Sequence, residues 1–164
     1  MNAADFPNLS FPDALDRLRA MPAVLEAALA GASAAQLHIR VADDGFCLVE
    51  QACHLRDLER QGYLARVRRI LAEEMPVLEE FDGAAVARAS GYLAQDARAA
   101  ARDFAAARRE VVALLAPLGE AELARSAMFG GKRITLAGLV AMMCEHDRGH
   151  RVEIEALVDA MEAP

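Results

Sequence analysis

The stretch Ile134–Leu157, ITLAGLVAMMCEHDRGHRVEIEAL, decides how the rest of the chain is read. Leu136, Leu139, Val140, Met143, Ile154 and Leu157 recur at the intervals of one helix face. Thr135 is a candidate N-cap, and the pattern predicts a helix over about 136–161. His146 and His150 stand four residues apart inside it, so their side chains leave the same face one turn apart. That face also carries Leu139, Met142 or Met143, Ile154 and Leu157, and both imidazoles are therefore expected to look into the protein interior.

Working outward, three more segments carry helical periodicity. Ser10-Phe11-Pro12-Asp13 reads as an N-cap serine with proline in the first turn and an acid at the third position. It opens a helix over about 11–30 whose face is Leu15, Leu18, Leu25 and Leu29; Pro22 predicts a kink or break. A second helix is expected over about 46–71, capped by Asp43 or Asp44 and lined by Phe46, Val49, Cys53, Leu58 and Leu64, with Pro76 limiting it. A third, over about 92–116, starts between Ser90 and Ala94 and passes through Phe104, Val111 and Leu115. Ala121–Arg125 reads as a short extra helical turn, and Gly130-Gly131 then interrupts it without the density of a phosphate loop. Strand signals are scarce, with only a short weak alternation over Leu37–Val41. Four amphipathic helices cannot bury their stripes alone, so the expected fold is all-α, a four-helix bundle forming one domain over residues 1–164. The connections within the first and the last helix pair exceed a minimal turn and leave room for crossovers.

Composition narrows the partners. The 164 residues include 18 basic and 25 acidic side chains, a formal charge of −7, which disfavours binding to a phosphate backbone. Aromatics are 5% of the chain and tryptophan is absent, so aliphatic side chains must build the core. Cys47, Cys53 and Cys144 show neither disulfide density nor a paired metal spacing; they suit a reducing compartment and read as small apolar packing. The first residues, with Asp5 and no basic segment ahead of an apolar run, do not resemble a secretory signal. The apolar run Leu136–Cys144 is about half of what a bilayer span needs. A cytoplasmic protein without nucleic-acid or membrane partners is expected. The arginines at 66, 68 and 69 and at 108 and 109, close to Glu73, Glu74 and Glu110, read as solvated helix faces.

Two imidazoles in an apolar interior carry a desolvation penalty unless their ring nitrogens find partners. Carboxylates or water would serve; a divalent metal serves better, and it calls for a third ligand from a neighbouring helix. His54 lies in the second helix, with Glu50 one turn before it and Asp57 about one turn after. His38 falls between the first two helices and reads as a surface-loop residue. Glu50 could ligate, orient an imidazole or act as a base, whereas Asp57 reads as an ordinary polar position. Glu153, seven residues after His146, could bind metal, fix His150 or pair with an arginine; Glu145 and Asp147 point away from His146. Three histidine ligands leave coordination positions open, as catalysis on a water or a thiol requires, whereas a structural site is closed by a fourth ligand.

Three stretches resemble the DinB-like (DinB/YfiT-like) superfamily of metal-binding four-helix bundles. They are Phe46–Glu59 (FCLVEQACHLRDLE), the FDG of Phe81–Gly83 followed by Phe104–Leu115 (FAAARREVVALL), and Ile134–Leu157. The resemblance implies a divalent ion, nickel or zinc, on His54, His146 and His150, and a homodimer. It also implies a small-molecule substrate, since some members are transferases or isomerases that use bacillithiol, mycothiol or glutathione. Two positions depart from the family pattern: Cys47 stands where relatives often place a capping serine, and Glu153 replaces a common glutamine. The expected function is a metal-dependent small-thiol S-transferase or a hydrolase of a small molecule, with Glu50 as catalytic candidate. The alternative is a noncatalytic metal-binding or small-molecule-sensing bundle.

Overall fold

Ser10 caps the first helix as its sequence predicts, its hydroxyl accepting from the Asp13 amide at 3.2 Å. In the computed structural model, which describes residues 9–162, α1 then runs Phe11–Ala30. It passes through Pro22 as one helix, so the expected break is absent. Proline withholds the amide that would bond to the Leu18 carbonyl, and Arg108 Nη1 donates to that oxygen instead at 3.0 Å.

The second helix is capped by Cys47, not by Asp43 or Asp44, because Glu50 Oε2 reaches back to accept from the Cys47 amide at 3.0 Å. It continues as α2 (Leu48–Asp57), a π-helical turn (Leu58–Tyr63) and α3 (Leu64–Ala72). After β1 (Val77–Leu78), Asp82 caps α4 (Gly83–Ser90) through the Ala85 amide at 2.9 Å. The third long helix, α5 (Ala97–Leu115), starts later than the sequence suggests, because the Asp96 carboxylate accepts from both the Arg98 and the Ala99 amides. A single turn, α6 (Glu120–Leu123), lies near the expected one. The hairpin β2 (Ser126–Phe129) and β3 (Lys132–Thr135) precedes α7 (Leu136–Glu162), where Thr135 Oγ1 accepts from the Gly138 amide.

The small sheet, order β1-β2-β3, corrects the reading of Gly130-Gly131 as a mere interruption. Both glycines have positive φ, 56° and 74°, which a two-residue turn between antiparallel strands demands and other residues resist. Phe129 pairs with Lys132 across that turn, and β1 joins parallel to β2 with Leu78 opposite Phe129.

Around the bundle, α1 packs between α5 and α7, while α2 packs on α5 and α7 from the other side. The first and second helices are thus diagonal, as are the third and fourth. Both long connections noted in the sequence are the crossovers this order requires. Arg98, at the start of α5, donates to the Leu29 and Ala32 carbonyls and so ties off the end of α1 where the first crossover begins. No helix among the described residues is long and apolar enough to cross a membrane.

Two apolar clusters fill the interior. Leu18, Leu58, Val111 and Met143 belong to one, and Met21, Leu25, Leu55, Phe104 and Ile154 to the other. Along α5 the residue between them is Arg108, and along α7 the same level holds Asp147 and His150. A polar layer therefore crosses the bundle where the histidines lie.

A candidate metal centre

The polar layer is built around Arg108, which is 2% exposed and so corrects its assignment to a solvated face. Nε and Nη2 donate to Glu59 at 2.7 and 2.8 Å, Nη1 and Nη2 to Asp147 at 2.5 and 3.1 Å, and Nη1 also to the Leu18 carbonyl. These bonds use all five N–H groups of the guanidinium. Burial pushes the Glu59 carboxyl up, against the attraction of Arg108. Asp147 does point away from His146, into this network.

His146 and His150 leave α7 one turn apart, and their Nε2 atoms stand 3.0 Å from each other. His54 reaches them from α2, with ring centroids 5.6 Å from His146 and 4.9 Å from His150. One ligand atom from each of the three lies within 4.8 Å of the others. Bonds of about 2.0–2.1 Å from zinc to imidazole would place neighbouring ligand atoms about 3.0–3.4 Å apart, so the His146–His150 spacing fits two ligands of one ion.

The partners of the outer nitrogens are unequal. His150 Nδ1 lies 2.7 Å from Gln51 Oε1 and 3.0 Å from Glu153 Oε2, and Gln51 Nε2 donates to Glu153 at 2.7 Å. Two acceptors at Nδ1 hold its proton there and leave Nε2 as a lone-pair donor toward His146. Nδ1 of His54 and Nδ1 of His146 are buried without hydrogen-bond partners. Burial, reinforced by the neighbouring imidazoles, pulls His54 down to about 4 and His146 to about 2. Burial lowers His150 as well, against the pull of Glu153. All three rings are neutral at pH 7, the state that binds metal.

Aromatic rings close the site. Phe46 and Phe81 lie 5.3 and 6.1 Å from His54, and Tyr63 meets His146 edge-on at 6.0 Å. Gly83, from the FDG stretch, lies against the edge of His54: a Cβ there would sit 2.6 Å from Cε1 and 2.9 Å from Nδ1. No side chain fits that position, which gives the glycine its physical reason.

Glu50 is not part of the three-imidazole cluster. Its oxygens accept from the Cys47 amide and from Arg40 Nη2 at 2.9 Å. Burial works to raise its carboxyl, but these bonds outweigh burial and hold it below the usual range. Asp57 accepts from Arg56 and from the Tyr92 hydroxyl, away from the cluster. His38 lies in a short 3-10 turn, Gln36–His38, outside the site. Gln51, Gly83 and Tyr63 were not anticipated. Gln51 precedes His54 by three residues, a helical interval that could have flagged it; Gly83 and Tyr63 join the site only through tertiary packing.

A family model described as the DinB superfamily matches residues 17–154, and the chain belongs to that superfamily. Among solved structures, it superposes on YfiT from Bacillus subtilis, described as a probable metal-dependent hydrolase with an unusual four-helix bundle topology. The TM-score is 0.86 at 21% identity, covering 96% of this chain and 93% of that one. No curated protein matches the sequence.

Proposed function

Starting from that membership, we propose that the protein is a divalent-metal-dependent enzyme acting on a small molecule, with hydrolysis as its reaction. The observation that carries this reading is the convergence of His54, His146 and His150 within 4.8 Å, two of them with buried, unpaired Nδ1 atoms. The description of YfiT as a probable metal-dependent hydrolase supports the same reaction class.

In this reading the three histidines hold nickel or zinc. A divalent ion so held supplies Lewis acidity, which polarises a substrate carbonyl and acidifies a water or a thiol. The chain's own contribution is positional. Gln51 and Glu153 keep the His150 proton on Nδ1, Gly83 lets His54 approach, and Phe46, Phe81 and Tyr63 wall the histidines with apolar surface. Glu50, one turn ahead of His54 and held ionised, is the proposed proton acceptor; its Oε1, bonded only by Arg40 Nη2, is the oxygen with a lone pair to offer, since Oε2 meets both the Cys47 amide and Arg40 Nη1. In the alternative transferase version, which the family resemblance implies, a low-molecular-weight thiol would take the place of water as the nucleophile; a homodimeric assembly is part of either version.

The test is metal stoichiometry followed by turnover. Wild type is expected to bind one zinc or nickel ion per chain, and H54A, H146A and H150A to lose it. Metal-loaded protein is then assayed against small amides and esters and, separately, in a thiol-conjugation screen, with sedimentation reporting the dimer. Loaded protein inert in both screens would overturn the enzyme reading and leave the noncatalytic metal-binding bundle.

A further inference from the structure

Two arginines are buried in this protein, and they are treated differently. Arg108 is 2% exposed and meets two carboxylates. Arg66 is 6% exposed and, among the described residues, has no carboxylate within ion-pair distance. This corrects the reading of Arg66 as part of a solvated face; its neighbours Arg68 and Arg69 do pair at the surface, with Glu110 and Glu73. A buried guanidinium with no carboxylate in contact is costly, and burial pulls Arg66 below its ordinary value although the Glu80 carboxylate acts on it from beyond ion-pair distance.

Two of its five N–H groups are used. Nε and Nη2 both donate to one acceptor, the Glu79 carbonyl, at 3.3 and 3.0 Å. The end of the fork, both protons of Nη1 and one of Nη2, has no partner among the described residues. The hydroxyl of Tyr63, a buried residue, also lacks a hydrogen-bond partner among the described residues. Two coplanar donors at the end of a guanidinium match the two oxygens of a carboxylate.

The position ties this fork to the histidines. Arg66 lies over the Tyr63 ring at 5.5 Å, and Tyr63 lies edge-on to His146 at 6.0 Å. On its other side Arg66 stacks on Phe129 at 4.5 Å. The carbonyl it grips, Glu79, comes two residues before Phe81, which lies against His54.

We propose that Arg66 is the anion-recognition residue of the candidate metal centre, and that the substrate is a small molecule carrying a carboxylate. The inference rests on the metal-site reading above and names the substrate class for it. The carboxylate that Arg66 lacks in direct contact is the substrate's, which the free end of the fork binds while the remainder of the molecule extends past Tyr63 toward the histidines.

The test titrates zinc-loaded and metal-free protein, followed by NMR, with N-acetylglycine, with neutral N-acetylglycinamide and with inorganic phosphate. Wild type is expected to bind N-acetylglycine about tenfold or more tighter than the neutral amide, in both forms of the protein. R66M is expected to lose that preference while keeping its zinc stoichiometry, and R66K to keep part of it. The wild-type comparison needs no variant, so it decides even if R66M fails to fold. Equal binding of the carboxylate and the neutral amide, a preference that survives in R66M, or a preference for phosphate would each overturn the proposal. A failure of the metal reading shows separately, as absent zinc binding by wild type, while the metal-free titration still reports on Arg66.

Discussion

Pro22 and Arg108 complete each other: the proline denies the Leu18 carbonyl its helical hydrogen bond, and the arginine supplies a replacement at 3.0 Å from a different helix. The same guanidinium pairs with Glu59 and Asp147, so one side chain meets three groups drawn from α1, the π-helical turn and α7. It does so at the level of the bundle where the histidines converge.

Removing that side chain strands two buried carboxylates and a carbonyl. R108A is expected to lose about 3–5 kcal/mol of stability, as breaking a buried charge network does. The loss is read from denaturant unfolding midpoints. A variant replacing Arg108, Glu59 and Asp147 together with apolar residues should lose far less. A mild effect of R108A alone would show that the network is not buried as described.

Gly83 lies so close to His54 that an added Cβ would come within 2.6 Å of the ring. G83A should therefore displace the imidazole and weaken zinc binding by about 10–100-fold, the range seen when the support of a ligand is disturbed. Alanine favours the helix more than glycine does, so thermal stability should change little. Calorimetric metal titration beside a melting curve separates the two effects. Unchanged affinity would remove His54 from the ligand set or Gly83 from its support.

Gln51 fixes the proton of His150 from α2. Q51L removes that acceptor and the Gln51–Glu153 bond together. Metal affinity should fall about 10–100-fold. E153Q should cost less, because the Gln51 contact to His150 remains. If E153Q costs more than Q51L, the carboxylate and not the amide orients the ring.

Acid should destabilise the metal-free protein in a defined window. The unfolded histidine takes up a proton near 6.5, whereas burial holds folded His54 near 4 and folded His146 near 2. As pH falls below 6.5 the unfolded chain binds protons that the folded chain refuses, and stability declines. The His54 contribution is fully present above 6.5 and is lost as pH falls to about 4; that of His146 goes on falling toward 2. Melting temperatures of wild type and H146A between pH 7.5 and 4 check this: the decline should be shallower in H146A. Equal slopes would show that His146 is not held neutral by the fold.

The helices and the His146–His150 pair were legible because both rest on local periodicity, whereas His54 joins the pair from another helix and was flagged by its place in α2 and by the family resemblance. Apolar spacing marks a helix whatever surrounds it, and an interval of four places two rings on one face. Ser10 is legible as a cap for the same reason, since capping is settled within four residues. The hairpin at Gly130-Gly131 was missed because two four-residue strands carry too little alternation to stand out, although the paired glycines were a usable signal.

The sequence by itself determined four amphipathic helices, their apolar faces and two imidazoles aimed inward, because each depends on neighbours within a turn or two of the same chain. Only the tertiary structure decided the diagonal helix order and which charges are interior. Arg66, Arg68, Arg108 and Arg109 look alike in sequence, and nothing local tells a buried guanidinium from a solvated one. The difference lies in what the opposing helices and strands bring to it: Glu59 and Asp147 to Arg108, a lone carbonyl to Arg66. Charge burial is decided by partners distant in sequence, and the crossovers of the bundle choose those partners.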